Sequence, residues 1–261
     1  MISTSEAIVL QTRRYSESSK IVTLYTRQHG KQSVIARGAL QARSRFGAVL
    51  QPMAFLSTTI YRKEGRDLHN LSAAETVERF PLLATDLERM TIGLSIVELV
   101  SASMHDEDRN DRIFDAIVSA LRALGNPDAN GTNVLLWFVL QLSGLLGYAI
   151  GTSECGVCSE PVSVAATGDV AYSLALGAPL CSEHRDTGVY RMLPAGAFTL
   201  LGEISEKGIL DAGRVDADER SRSVLLEALT SFVRHHIDGI RKLKVGSVAA
   251  TLLGESPMAS R

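Results

Sequence analysis

The sequence predicts an α+β chain of several domains, with a small β-barrel first and a mostly helical part after it, interrupted by a metal-binding segment. Three observations carry that expectation. Short β-branched runs fill residues 1–80, helical spacing of apolar residues begins at Pro81, and all three cysteines fall within residues 151–190. The strands read in order as Ala7–Leu10, Ile21–Tyr25, Val34–Ala36, Phe55–Tyr61 and Leu68–Leu71. Gln28-His29-Gly30-Lys31 offers a glycine-bearing hairpin turn, and Glu64-Gly65-Arg66-Asp67 offers a second turn. Five short strands in about seventy residues suit the OB-fold, a five-stranded barrel. A plain antiparallel sheet is the alternative.

Pro81 suits a helix start, and Leu83, Leu87, Met90, Leu94, Val97 and Val100 follow at spacings of three and four, as one buried face requires. A second helix is expected over Arg112–Leu124, with Ile113, Phe114, Ile117 and Leu121 on one side. The most apolar run, Val134–Ile150, is shorter than the roughly 20 residues that span a bilayer, so a buried helix and no membrane contact are expected. The helical pattern resumes at Pro194. Over Arg220–Ile240 it carries Leu225, Ala228, Leu229, Phe232 and Val233 as an apolar face. The expected domains are 1–80 (barrel), 81–150 and 191–250 (two parts of a helical domain), 151–190 (metal-binding insertion) and 251–261 (flexible tail).

Cys155-Gly156-Val157-Cys158 and Cys181-Ser182-Glu183-His184 form a C-x2-C…C-x2-H pattern. Each pair sits on a tight turn able to present two ligands, and two such turns complete a tetrahedral zinc site. Val162–Ala165 and Val170–Leu174 are expected to pair across Thr167-Gly168-Asp169, as in a zinc ribbon. Four protein ligands leave no open position, so Cys155, Cys158, Cys181 and His184 point to one structural Zn2+ per chain. Three cysteines, with no signal-peptide pattern, argue against a disulfide framework and for the cytoplasm.

Charge is distributed unevenly. Residues 1–80 hold twelve Lys or Arg and six Asp or Glu, a balance of +6, whereas the remainder balances at −8 and the whole chain at −2. A basic module of this kind is built to face a polyanion. Nine of its twelve cations are candidate contacts, Lys20, Arg27, Lys31, Arg37, Arg43, Arg45, Arg62, Lys63 and Arg66, mostly at strand ends and in loops. The densest stretch, Arg37–Phe46, adds an aromatic. Cationic loops beside aromatic rings suit single strands, because phosphates are neutralised while bases stack. Tyr25 and Tyr61 are assigned to the barrel core. A second basic set, Arg241, Lys242 and Lys244 after Arg234-His235-His236, extends the candidate contact surface, although the helix dipole also accounts for cations at a helix end. No phosphate-binding glycine loop, H-E-x-x-H or G-x-S-x-G occurs, and the acidic pairs lie on polar faces, so no enzymatic activity is expected.

Residues 7–71 (AIVLQTRRYSESSKIVTLYTRQHGKQSVIARGA…SRFGAVLQP…YRKEGRDLHNL), Leu145–Cys158 and Val233–Val245 resemble the bacterial recombination mediator RecO family, in order and along nearly the whole chain. The resemblance implies an OB-fold, a helical domain and a zinc-bearing insertion. It implies binding of single-stranded and, more weakly, double-stranded DNA, and annealing of complementary strands. It further implies action on DNA coated by single-strand-binding protein, partnership with RecR, and indirectly the loading of RecA, in the cytoplasm and at the nucleoid. Two positions depart from the family pattern. The loop after Arg37 reads Gly38-Ala39-Leu40-Gln41-Ala42-Arg43 where the family is richer in basic residues, and His184 stands where a cysteine is common. Two other classes stay open: a zinc-containing OB-fold adaptor that binds proteins and not DNA, and a zinc hydrolase acting on nucleic acid, which needs an open metal position.

Overall fold

Strand β1 (Ile2–Arg14) is long enough to pair on both edges, with β2 (Lys20–Thr26) and with β4 (Phe55–Tyr61), and a register shift between Val9 and Gln11 bends it. β2 turns back into β3 (Gly30–Ala36), and β5 (Leu68–Glu78) closes the ring by pairing antiparallel with β4 and parallel with β3. The order β1-β2-β3-β5-β4 in a closed five-stranded barrel is the OB arrangement that strand count and spacing predicted. Alternation sorts the side chains: Ala7, Val9, Val22, Leu24, Val34, Leu56, Ile60 and Leu71 meet inside. The loop between β3 and β4 completes this core, because Ala39, Phe46 and Leu50 fold into it. The computed structural model describes residues 1–62, 65–164, 168–185 and 188–242.

The barrel belongs to a compact unit, Met1–Gly125, that also holds three helices. Asp86 interrupts the first expected helix. Its side chain accepts from the Arg89 N–H as an N-cap, separating α1 (Pro81–Thr85) from α2 (Leu87–Ser103). The buried face of α2 is therefore built on Ile92, Ile96, Val97, Leu99 and Val100. Leu87 and Leu94, expected inside, are 72% and 38% exposed. In α3 (Asp111–Leu124) the expected face is the buried one, and Phe114 lies against Tyr25 and Phe55 on the outer side of the barrel, with ring centroids 6.4 and 6.0 Å away. The linker before α3 presses on the β2–β3 turn at Gly30. A Cβ there would stand 2.1 Å from the Asp108 carbonyl oxygen, and φ is +62°, so only glycine serves.

The second compact unit begins at Asn126. Its helices are α4 (Gly131–Leu145), α5 (Ala195–Glu206), α6 (Ile209–Ala212) and α7 (Glu219–His236), followed by a 3-10 turn, Asp238–Lys242. α4 packs against α5, α6 and α7. At this junction the buried Asn133 amide donates to the Ala212 and Val215 carbonyls at 3.2 and 2.8 Å, while its oxygen accepts from Arg222 at 3.0 Å. The insertion differs from the sequence expectation. β6 (Asp169–Ser173) pairs with β7 (Ala178–Pro179) and β8 (Arg191–Pro194), whereas 162–164 form no strand and Ala165 lies outside the described residues. Tyr172 ties this sheet down, its buried hydroxyl donating to the Gly151 and Gly177 carbonyls at 3.0 and 2.7 Å.

Candidate nucleic-acid interface and metal centre

Arg37, Arg43 and Arg45 are exposed on the β3–β4 loop, which Phe46 holds in place from below. The Arg45 guanidinium lies 4.9 Å from the Phe46 ring centroid, and Nη2 approaches the Leu71 carbonyl at 3.4 Å. Arg37 and Arg45 line one groove with Tyr61, Ile35, Asn70, Leu71 and Ser72. Tyr61 is 46% exposed there, which corrects its assignment to the core. Leu56, Thr58 and Ile60 face inward on β4, so alternation sends Tyr61 outward, a signal already readable in the strand. Phe46 is the opposite correction. At 2% exposure its ring serves the barrel core and offers no face to a base. The aromatic beside the arginines is therefore Tyr61, contributed by a neighbouring strand.

Three of the other cations, Arg27, Lys31 and Arg62, are committed to carboxylates. Arg27 bridges Glu6 at 2.9 Å and Asp115 at 2.8 Å and stacks 4.3 Å from the Phe114 ring centroid. Lys31 pairs with Asp106 at 3.4 Å and donates to the Ser101 and Met104 carbonyls. Arg62 donates to Glu107, and this hydrogen bond is the main reason the Glu107 carboxyl is held below its ordinary range. His29, 3.2 Å from Arg62, has its pKa lowered by burial first and by that positive charge second. Lys20 is half-buried at the start of β2, Arg66 is exposed, and Lys63 lies outside the described residues.

At the other end of the chain, His236 packs on Phe232 with ring centroids 4.4 Å apart and reaches the Leu174 carbonyl at 3.2 Å. Arg241 and Lys242 belong to the 3-10 turn, and Lys244 lies outside the described residues.

The four expected metal ligands converge. One donor atom from each of Cys155, Cys158, Cys181 and His184 lies within 4.8 Å of the others. The Cys158 and Cys181 sulfurs are 3.8 Å apart, and His184 Nδ1 stands 3.1 Å from Cys181 Sγ and 3.9 Å from Cys155 Sγ. Zinc–sulfur bonds of about 2.3 Å at a tetrahedral angle place two sulfurs about 3.8 Å apart, so the donor set fits that ion. Local turns hold the ligands: Ser159 N–H donates to the Cys155 carbonyl at 2.9 Å and His184 N–H to the Cys181 carbonyl at 3.1 Å. Cys155 is buried with Ala171 and Leu180, which roots the cluster on β6. Burial raises the Cys155 pKa, yet the N–H groups of Cys181, Cys158 and Val157 outweigh it and bring the thiol down to about 6. For Cys158 the Glu160 N–H acts downward, but burial and the neighbouring Cys155 and Cys181 sulfurs push it up to about 11. The site gathers three cysteine sulfurs and one imidazole that could hold a metal ion.

Two family models match the chain. Residues 1–80 match the family model Recombination protein O N terminal, and residues 84–244 match Recombination protein O C terminal. The chain is similar to the DNA repair protein RecO of Heliobacterium modesticaldum, 31% identical over 257 residues that cover 97% of this chain and 92% of that one. It is 29% identical over 248 residues to that of Symbiobacterium thermophilum, covering 95% and 96%. With that of Salinibacter ruber it shares 42% identity over 145 residues, 56% of each chain.

Proposed function

Because the chain belongs to the RecO family of DNA repair proteins, we propose that it is a non-catalytic recombination mediator that binds single-stranded DNA and anneals complementary strands. Double-stranded DNA is bound more weakly. With RecR it helps load RecA onto DNA coated by single-strand-binding protein. The observation that carries the DNA-binding part is the groove in which Arg37 and Arg45 flank exposed Tyr61. Arginines neutralise phosphates and release counterions, and the phenol ring gives an unpaired base a stacking surface. Neutralising two strands on one surface lowers their mutual repulsion, which favours annealing without chemistry.

The groove assignment is tested by measuring affinity for a single-stranded oligonucleotide across salt concentrations. A linear decline of log affinity with log salt is expected, and flat binding would remove the electrostatic basis. Annealing of protein-coated complementary strands then tests the mediator role. The adaptor reading draws on the neutralised set of Arg27, Lys31 and Arg62, which leaves less free charge on the barrel than composition suggests. Capture on DNA beads at two salt concentrations separates the two readings.

Zn2+ in the Cys155/Cys158/Cys181/His184 cluster would act as a structural cross-link, since four protein ligands complete its tetrahedron. The cysteines and His184 would then fix the two turns against β6, in a segment whose own core is small. Elemental analysis should find about one zinc per chain. Chelation should expose residues 151–190 to proteases while single-strand binding by the barrel persists; substoichiometric metal in untreated protein would remove this role.

A further inference from the structure

Two of the engaged cations, Lys31 and Arg62, border a cavity that the groove reading does not use. On β3 the inward positions are Gly30, Gln32, Val34 and Ala36, and a polar residue stands among apolar ones at Gln32. Gln32 is 2% exposed, and neither its amide nitrogen nor its amide oxygen has a hydrogen-bond partner of proper distance and angle among the described residues. Its amide stands close enough to the Glu107 carboxylate to lower that group's pKa, the weakest of the influences that do so, without reaching hydrogen-bond geometry. Beside it His69, 3% exposed, faces inward from β5 in register with Val34. Both line a cavity of about 510 Å3, within the range of roughly 300–1,000 Å3 typical of small-molecule sites. Charges of both signs line the rim and largely cancel among the described residues: Lys31 faces Asp106, Arg62 faces Glu107, and the Met1 ammonium and exposed Arg66 stand with exposed Asp67. Such a site does not select an anion. It asks for a flat neutral group presenting one donor and one acceptor side by side, which a buried amide reads in bidentate fashion.

The neighbouring groove identifies the source of that group. Ile35 and Asn70, paired across the β3–β5 ladder, line the groove; His69, the residue before Asn70, lines the cavity. Tyr61 in the groove and Arg62 on the cavity rim are consecutive residues. A strand that tracks the groove therefore passes the mouth of the cavity. We propose that the cavity receives one unstacked base of a bound single strand, preferentially adenine, whose N6 and N7 edge pairs with the Gln32 amide. This rests on the reading that the groove binds single-stranded DNA, and adds to it a base-reading contact. Extruding a base is least costly from a strand that is already unpaired.

The test compares the affinity of the full chain for an oligo-deoxyadenosine strand with that for the same strand carrying 7-deazaadenine, which stacks alike but lacks the N7 acceptor. Wild-type protein is expected to prefer adenine by on the order of tenfold. Gln32→Met should bind both strands equally, with the salt dependence unchanged, whereas Tyr61→Ala should weaken both and keep the preference. Replacing an unsatisfied amide by an apolar group of similar length should leave the melting temperature equal or higher. Equal wild-type affinity for the two strands, or a preference retained in Gln32→Met, would overturn the base contact and leave the groove reading standing. A large fall in melting temperature would show that the amide serves the fold and would also overturn it. No binding of either strand at low salt would remove both readings together.

Discussion

The barrel carries two sets of cations that composition alone makes equivalent. Arg37, Arg43 and Arg45 stand exposed on one loop, whereas Arg27, Lys31 and Arg62 are engaged by Glu6, Asp115, Asp106 and Glu107. Three of those four carboxylates come from the segment that leads into α3 and from α3 itself, so acidic residues beyond the barrel cover part of its basic surface. The effective charge of the barrel is thus lower than +6, and Arg37 and Arg45 on the groove are among the exposed cations that keep theirs. Phosphate binding needs cations whose fields are not already cancelled, so the DNA-binding function proposed above draws on the first set, while the second is engaged within the protein.

The largest expected effect comes from the support of the groove. Phe46→Ala removes a buried ring from the barrel core and should cost about 3–5 kcal/mol in a urea denaturation, with single-strand affinity falling as the loop loses its anchor. Unchanged affinity in the folded variant would mean that the loop does not form the site. Next comes the Arg37→Ala/Arg45→Ala pair. Single-strand affinity at low salt should fall on the order of tenfold or more, and the salt slope should shrink by about 0.7 for each phosphate no longer neutralised, with stability unchanged.

Arg27→Ala is the counterpart from the engaged set. It should cost about 1 kcal/mol or less in stability through its half-exposed ion pairs and leave the salt slope close to wild type. A slope change as large as that of the Arg37/Arg45 pair would dissolve the distinction between the two sets. The smallest effect concerns pH. Since Arg62 lowers the Glu107 pKa, the stability this pair contributes is present above the ordinary carboxylate value of 4.5 and disappears as pH falls through the lowered one. Wild type and Glu107→Gln should therefore differ by about a few tenths of a kcal/mol near neutrality, because Glu107 is more than half exposed, and converge in acid. Thermal melts at a series of pH values check the convergence.

Much of this molecule was legible from one dimension. Short apolar and β-branched runs between turns located the barrel strands, a glycine turn placed Gly30, the apolar spacing in α3 and α7 identified their buried faces, and cysteine spacing named a cluster that could hold a metal. These are local signals, since each depends on residues a few positions apart. Local rules failed where two readings competed. Asp86 works equally as a polar helix residue and as a cap, and taking the cap rotated the buried face of α2 away from Leu87 and Leu94. Only the tertiary structure decided which arginines are neutralised, that β6 takes β7 and β8 as partners, that Phe46 turns inward while Tyr61 turns out, and that the Gln32 amide makes no hydrogen bond of proper distance and angle among the described residues. Those outcomes depend on groups far apart in sequence, such as Arg62 with Glu107 and Arg27 with Asp115. Composition establishes that such charges exist, and folding determines which of them meet.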